Sequence, residues 1–232
     1  MLKSFQIENY KISMCFASQI GLDKQENQDS IFFNVNDNSF GISICDGLGS
    51  APLSAQGSYE AARIMVSQLL DGSFEKKTFK DKWLKIFQEN PQKYNTTAKF
   101  VFIKGDLVRL GGIGDGLIVL NKGKERYEYA SHGDFSNQTS CIFDSKYETN
   151  FVDESIKLKC PLIIMVSTDG FSEDIEENGL DLLLNSAYKS LQDSRFSHEF
   201  DQSLTNLLEN WPNVTNGDDK TVAFILVEEQ HE

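Results

Sequence analysis

The hydrophobic and polar positions of the chain change period several times. Phe40, Ile42 and Ile44 alternate with Gly41, Ser43 and Cys45, the two-residue period of a strand. Asp46-Gly47-Leu48-Gly49 interrupts it. Ser50 and Pro52 then suit a helix start, and Ala55, Tyr59, Ala62, Val66 and Leu69 recur at helical spacing until Asp71-Gly72. A second helix is predicted over 74–88, with Phe79, Trp83 and Phe87 as a core stripe. Strand-like segments follow over 99–103, 108–111 and 117–120, separated by Gly-Asp and Gly-Gly turns. The continuous apolar run Leu162-Ile163-Ile164-Met165-Val166 reads as a buried strand. Helices over 180–191 and 200–208 and a last strand over 221–227 complete the pattern. Strands come in hairpin-like groups with helix pairs between them, without βαβ alternation. That grouping predicts an α+β layered sandwich of antiparallel sheets covered by helix pairs.

Composition narrows the setting. The 232 residues show no internal repeat, low-complexity tract or linker, so one domain over 1–232 is expected. With 35 acidic and 22 basic side chains the net charge is −13. Such a field repels nucleic acid, anionic membrane surfaces and free polyphosphate, although not an anionic group held at a metal. The first ten residues lack the apolar segment of a signal peptide, and no apolar run approaches the roughly 18 residues of a membrane span. The four cysteines are scattered without a C-x-x-C pair, and there are only three histidines. A zinc site is therefore disfavoured and a reduced cytoplasm is the expected compartment.

The chemistry lies in where the aspartates fall. Asp46 and Asp169 each precede a glycine directly after an apolar strand. Asp115 lies just before a strand in Gly114-Asp115-Gly116, Asp218 and Asp219 precede the last strand, and Asp29 precedes Ile31-Phe32-Phe33. Each alone reads as a turn residue. Together they would be carried to one sheet rim, where they repel each other unless cations sit between them. All-oxygen ligands with little His or Cys indicate hard ions, Mg²⁺ or Mn²⁺.

Five segments, in order along most of the chain, resemble those of one family. Asn27-Gln28-Asp29-Ser30 is similar to N-[EQ]-D-[SA], Asp46-Gly47-Leu48-Gly49 to D-G-[ML]-G, and Gly114-Asp115 to the start of G-D-S-R. Ser167-Thr168-Asp169-Gly170-Phe171-Ser172-Glu173 is similar to S-[ST]-D-G-[LF]-[TS]-[DE], and Asp218-Asp219-Lys220-Thr221 to D-[ND]-x-T. The family is the metal-dependent type 2C (PPM) serine/threonine protein phosphatases, in their short bacterial form. The resemblance implies a four-layer α/β/β/α sandwich, two mostly antiparallel sheets flanked by helix pairs. It implies two Mg²⁺ or Mn²⁺ ions, with Asp46 bridging them, the Gly47 carbonyl on one, and Asp169 and Asp218 on the other. It makes Asp46, Asp169 and Asp218 the catalytic set and places Asp29 in the outer shell. Asp115 and Glu173 fall where some members bind a weaker third ion. The implied reaction is hydrolysis of phosphoserine and phosphothreonine in proteins by direct attack of water shared between the ions. A phosphorylated protein is the implied substrate and a cognate Ser/Thr kinase the implied partner, with no nucleic acid and no membrane.

Three departures stand out. The family's arginine, three residues before the Asn of the first motif, is Lys24 here. It reads either as a weaker, point-charge phosphate binder or as an ordinary solvated lysine. Leu48 replaces a histidine found in eukaryotic members, and Gly116-Leu117 replace Ser-Arg. A catalytically weak or inactive binding module on the same fold, or a small-molecule phosphatase, are the alternative readings. The compact region after the third motif implies a small substrate-side flap. His132 and the polar stretch 133–139 read as loop.

Overall fold

The structure is a computed structural model that describes residues 2–22, 24–122, 125–130, 139–211 and 217–230, and the backbone alone of Ala130, Glu177 and residues 194–198. In chain order the elements are β1 (Leu2–Ile7), β2 (Tyr10–Gln19), β3 (Ser30–Asn36), β4 (Ser39–Cys45), α1 (Ser54–Asp71), α2 (Lys76–Ile86), a 3-10 turn (Pro91–Tyr94), β5 (Ala98–Lys104), β6 (Leu107–Ile113), β7 (Leu117–Lys122) and β8 (Glu125–Ala130). The short helix α3 (Tyr147–Asn150), β9 (Val152–Lys157), β10 (Leu162–Ser167), the short helix α4 (Asp169–Ser172), α5 (Glu177–Gln192), α6 (Ser194–Glu209) and β11 (Lys220–Glu229) follow.

One sheet has the order β1-β2-β11-β10-β7-β8 and the other β3-β4-β5-β6-β9. All the neighbouring strands pair antiparallel. Strand alternation sorts the side chains into layers. On β5, Val101 and Ile103 join the core between the sheets, together with Ile42, Ile44, Ile164 and Ile225. Ala98, Phe100 and Phe102 point the other way, into a second core with Trp83, Phe79 and α1. A third core packs α5 and α6 through Leu184, Leu191 and Leu204 against Met165 and Phe224. The four-layer α/β/β/α arrangement expected from the sequence is therefore present.

The Phe79-Trp83-Phe87 stripe is buried as expected. On the expected face of α1, Ala62, Val66 and Leu69 are buried, but Tyr59 is 53% exposed. The first turns of the helix also bury Gly57, Ser58 and Ala61, and the Tyr94 carbonyl packs so close to Gly57 that a Cβ there would lie 1.7 Å from it. Small residues make that contact, and a hydrophobic period does not register them. The N-cap position falls at Leu53, without a side-chain cap, and not at Ser50 or Pro52. Asp169 opens α4, with Thr168 between it and the end of β10. His132 and residues 133–138 lie outside the described residues.

Trp83 is fully buried, and its indole N–H donates to the Gly57 carbonyl at 3.1 Å. Trp83→Ala is expected to cost about 3–5 kcal/mol of stability, read as a fall in the urea midpoint. A midpoint unchanged from the parent would refute this packing.

Candidate functional site

Antiparallel pairing decides which residues meet. Ser30 pairs with Cys45, so Asp29 at the start of β3 and Asp46 at the end of β4 emerge side by side. Ser167 pairs with Val222, so Asp169 after β10 and Asp218 before β11 emerge together. Leu117 pairs with Ser167, which brings the Asp115 turn to the same end. The first pair belongs to one sheet and the others to its partner. The carboxylates therefore line the seam where both sheets end.

Hydrogen bonds close that seam. Thr168 Oγ1 donates to Asp29 Oδ2 at 2.9 Å and accepts the Thr221 N–H at 3.0 Å, joining the two sheets. Asp219, almost fully buried, accepts the Gly21 N–H at 2.8 Å and the Gln28 N–H at 2.7 Å. Its role is to moor the loop that carries Lys24. Gln28 Oε1 accepts from Lys24 Nζ at 2.9 Å, while its Nε2 donates to Ser54 Oγ at 2.7 Å. The Asp46 N–H donates to Thr97 Oγ1 at 2.9 Å, and its carbonyl accepts from Thr96 Oγ1 at 2.7 Å, which pins the residue to the start of β5. Gly114 and Gly116, both at φ +97°, supply the left-handed backbone that aims Asp115 at the seam. Thr139 Oγ1 donates to Asp115 Oδ2.

The electrostatics follow from this crowding. Burial, then the charges of Asp29, Asp169 and Asp218, push the Asp46 carboxyl well above the usual range. Burial and the charges of Asp219 and Asp169 push Asp29 up to about 7, against the hydrogen bonds from Thr221 and Thr168. Burial, Asp218, Glu173 and Asp115 push Asp169 up to about 6. Burial pulls the Lys24 ammonium down, but its hydrogen bond and ion pair with Asp218, aided by Asp219 and Asp46, outweigh that and raise it. The Lys24 Nζ to Asp218 Oδ1 distance is 2.6 Å.

The donor set fits divalent cations. Asp29 Oδ1 is buried without a hydrogen-bond partner. The carboxylate beside it, Asp46, is also an acceptor, so only a proton or a cation can satisfy both. Among the described residues no three His, Cys, Asp or Glu side chains are already disposed around a single ion position. Asp218 is instead turned to Lys24.

Of the residues expected from the sequence, Asp29, Asp46, Asp169 and Asp218 converge, with Lys24 among them. Asp115 and Glu173 flank Asp169. Gly47 is held against Gln28 and Ser54 so closely that a Cβ would lie 2.8 Å from each. Sequence reasoning gave no role to Gln28, Thr168, Asp219 or Lys99, which the structure draws into the site. The first three stand inside the quoted motifs and could have been found there, whereas Lys99 carries no motif signal. A pocket of about 420 Å³ between α5 and α6 holds none of these residues.

Carboxyls raised in the folded state keep protons that the unfolded chain has already released between about pH 4 and pH 7. The metal-free protein therefore loses stability as pH rises through that window. Melting in EDTA is expected to give a higher Tm near about pH 5.5 than near pH 8, and Asp46→Asn to raise the Tm at the higher pH. A Tm that climbs with pH in EDTA would contradict the repulsion.

Known proteins bear on this arrangement. No curated protein sequence matches the chain. RsbX in complex with magnesium superposes with TM-score 0.65 at 14% identity, over 98% of this chain and 100% of that one. The catalytic domain of the serine threonine protein phosphatase PstP, in complex with 2 manganese ions, gives TM-score 0.60 at 13% identity, over 95% of this chain and 100% of that one. The PP2C phosphatase domain of SpoIIE from Bacillus subtilis, with a fragment of its regulatory domain, gives 0.67 at 16% identity, over 100% of this chain and 70% of that one. At such identities the likeness is one of fold. The family model of protein phosphatase 2C matches residues 22–211, most of the chain and nearly all of the acidic rim. The chain belongs to the protein phosphatase 2C family.

Proposed function

We propose that this chain is a metal-dependent phosphomonoester hydrolase that removes phosphate from phosphoserine and phosphothreonine side chains of proteins. The observation that carries the reading is the convergence of Asp29, Asp46, Asp169 and Asp218, with an unpartnered buried oxygen on Asp29. Asp46, Asp169, Asp218 and the Gly47 carbonyl would hold two Mg²⁺ or Mn²⁺ ions. Bound there, the ions would supply an activated water and neutralise the phosphoryl oxygens. Asp29 would accept hydrogen bonds from water on the inner side of the cluster, where Thr168 orients it. Lys24 would leave Asp218 when ions compensate that carboxylate, and its ammonium would then face the substrate phosphate as a point charge. Asp115 and Glu173 would border the Asp169 side. One domain would carry all of this, and a Ser/Thr kinase acting on the same proteins is the proposed counterpart. Among the described residues no helix is long and apolar enough to cross a membrane.

A weak or inactive binding module is the second reading. It is favoured by the Lys24–Asp218 ion pair and by Lys24 standing where the resemblance to the family's first motif implies an arginine.

Hydrolysis of p-nitrophenyl phosphate and of phosphopeptides in Mn²⁺ is the direct test. Asp46→Ala and Asp169→Ala are each expected to lower kcat at least about 100-fold. No turnover at neutral or alkaline pH would remove the catalytic reading and leave the second one. Lys24→Ala is expected to raise KM by about tenfold with a smaller change in kcat, since a charge-assisted hydrogen bond is lost. Lys24→Arg should lower KM, and equal KM values across the three proteins would take phosphate contact away from Lys24.

A further inference from the structure

Lys99 stands where a strand normally presents an apolar residue. It lies on β5 in phase with Val101 and Ile103, which face the core between the sheets. Only 4% of the residue is exposed. Its stem therefore runs inside the sandwich, and its Nζ donates to the Gly114 carbonyl at 2.6 Å, at the base of the turn that carries Asp115. The charges of Asp115 and Asp169 act on it from the rim, while burial pulls it down to about 8. A buried ammonium survives in such a place only when acids face it. A pocket of about 140 Å³ reaches Lys99 between β8 and β9, and Glu128 and Glu154 are in its lining. That lining is acidic as well, which makes the pocket a poor anion receptor. The chemistry of Lys99 is that of a counter-ion to carboxylates.

We propose that Lys99 is a built-in cation of the acidic rim, which compensates the Asp115 turn from beneath and confines divalent ions to the positions that Asp46, Asp169 and Asp218 would hold. The proposal rests on the metal reading of the rim. It adds that the chain carries a covalently attached monovalent charge where a further, weaker divalent ion would otherwise sit. A fixed ammonium beneath the Asp115 turn repels a dication there and reduces the net charge with which that carboxylate would hold one.

The test is calorimetric titration of the full chain with Mn²⁺, using the parent, Asp115→Asn, Lys99→Met and the double variant. The parent is expected to bind two ions, and Asp115→Asn to leave both affinities within about twofold. Lys99→Met is expected to gain an additional Mn²⁺, or to bind one at least tenfold more tightly, and the double variant to lose that gain. A merely structural lysine would not create an ion site that depends on Asp115. Three ions on the parent, or a tenfold loss of Mn²⁺ affinity in Asp115→Asn, would overturn the proposal even if Lys99→Met failed to fold. Two ions on the parent with no Asp115-dependent gain in a folded Lys99→Met would overturn it and spare the metal reading. A parent that binds no Mn²⁺ would overturn both.

Discussion

Repulsion between carboxylates held at one rim is the constraint on which the rest of the site depends. Asp29, Asp46, Asp169 and Asp218 are brought together by strand pairing, and beyond burial the charges of Asp29, Asp169 and Asp218 raise the Asp46 carboxyl, that of Asp169 raises Asp29, and that of Asp218 raises Asp169. Left to themselves they would spread into water. Two sheets, a three-layered apolar interior and hydrogen bonds that cross the seam hold them in place. The fold is thus strained electrostatically at one end and stabilised everywhere else, the usual trade between stability and a functional site.

The rim was legible because antiparallel topology is legible. Asp-Gly after an apolar run says that a carboxylate stands at a strand end, and hairpin grouping says which ends coincide. The positions of Asp46 and Asp169 follow from that alone. Other features were not legible for physical reasons. The start of the buried face of α1 is set by Gly57, against which the Tyr94 carbonyl packs, and that close approach leaves Tyr59 exposed although it is in phase with the apolar stripe. Asp219 neighbours Asp218 in sequence, yet one is buried as a mooring for two backbone amides and the other faces Lys24. Only the backbone path separates such neighbours. Lys99 was hidden by its strand, since an ammonium in a core is intelligible only once the acids above it are known.

Two lysines bracket the cluster and differ in what they can do. Lys24 is half-buried on a loop and bonded to Asp218 and Gln28, and on the proposed reading it would exchange partners when ions arrive. Lys99 is encased between sheets and bonded to a main-chain carbonyl. The first is a movable charge, the second a fixed one. On the proposed reading, an incoming ion or phosphate would meet one amine that can yield and one that cannot.

The ladder between β2 and β11 runs the length of both strands, and Ser18 and Thr221, 203 positions apart, share a 2.7 Å hydrogen bond within it. On the ribosome this has a consequence. Asp29, Asp46 and Asp169 are all synthesised well before Asp218, and β11 is inserted between β2 and β10 after both have been made. Until that strand arrives, the larger sheet lacks the partner that joins β2 to β10, and the rim lacks Asp218. On the proposed reading the rim is incomplete until the chain has passed Asp218 and β11 has closed the sheet between β2 and β10.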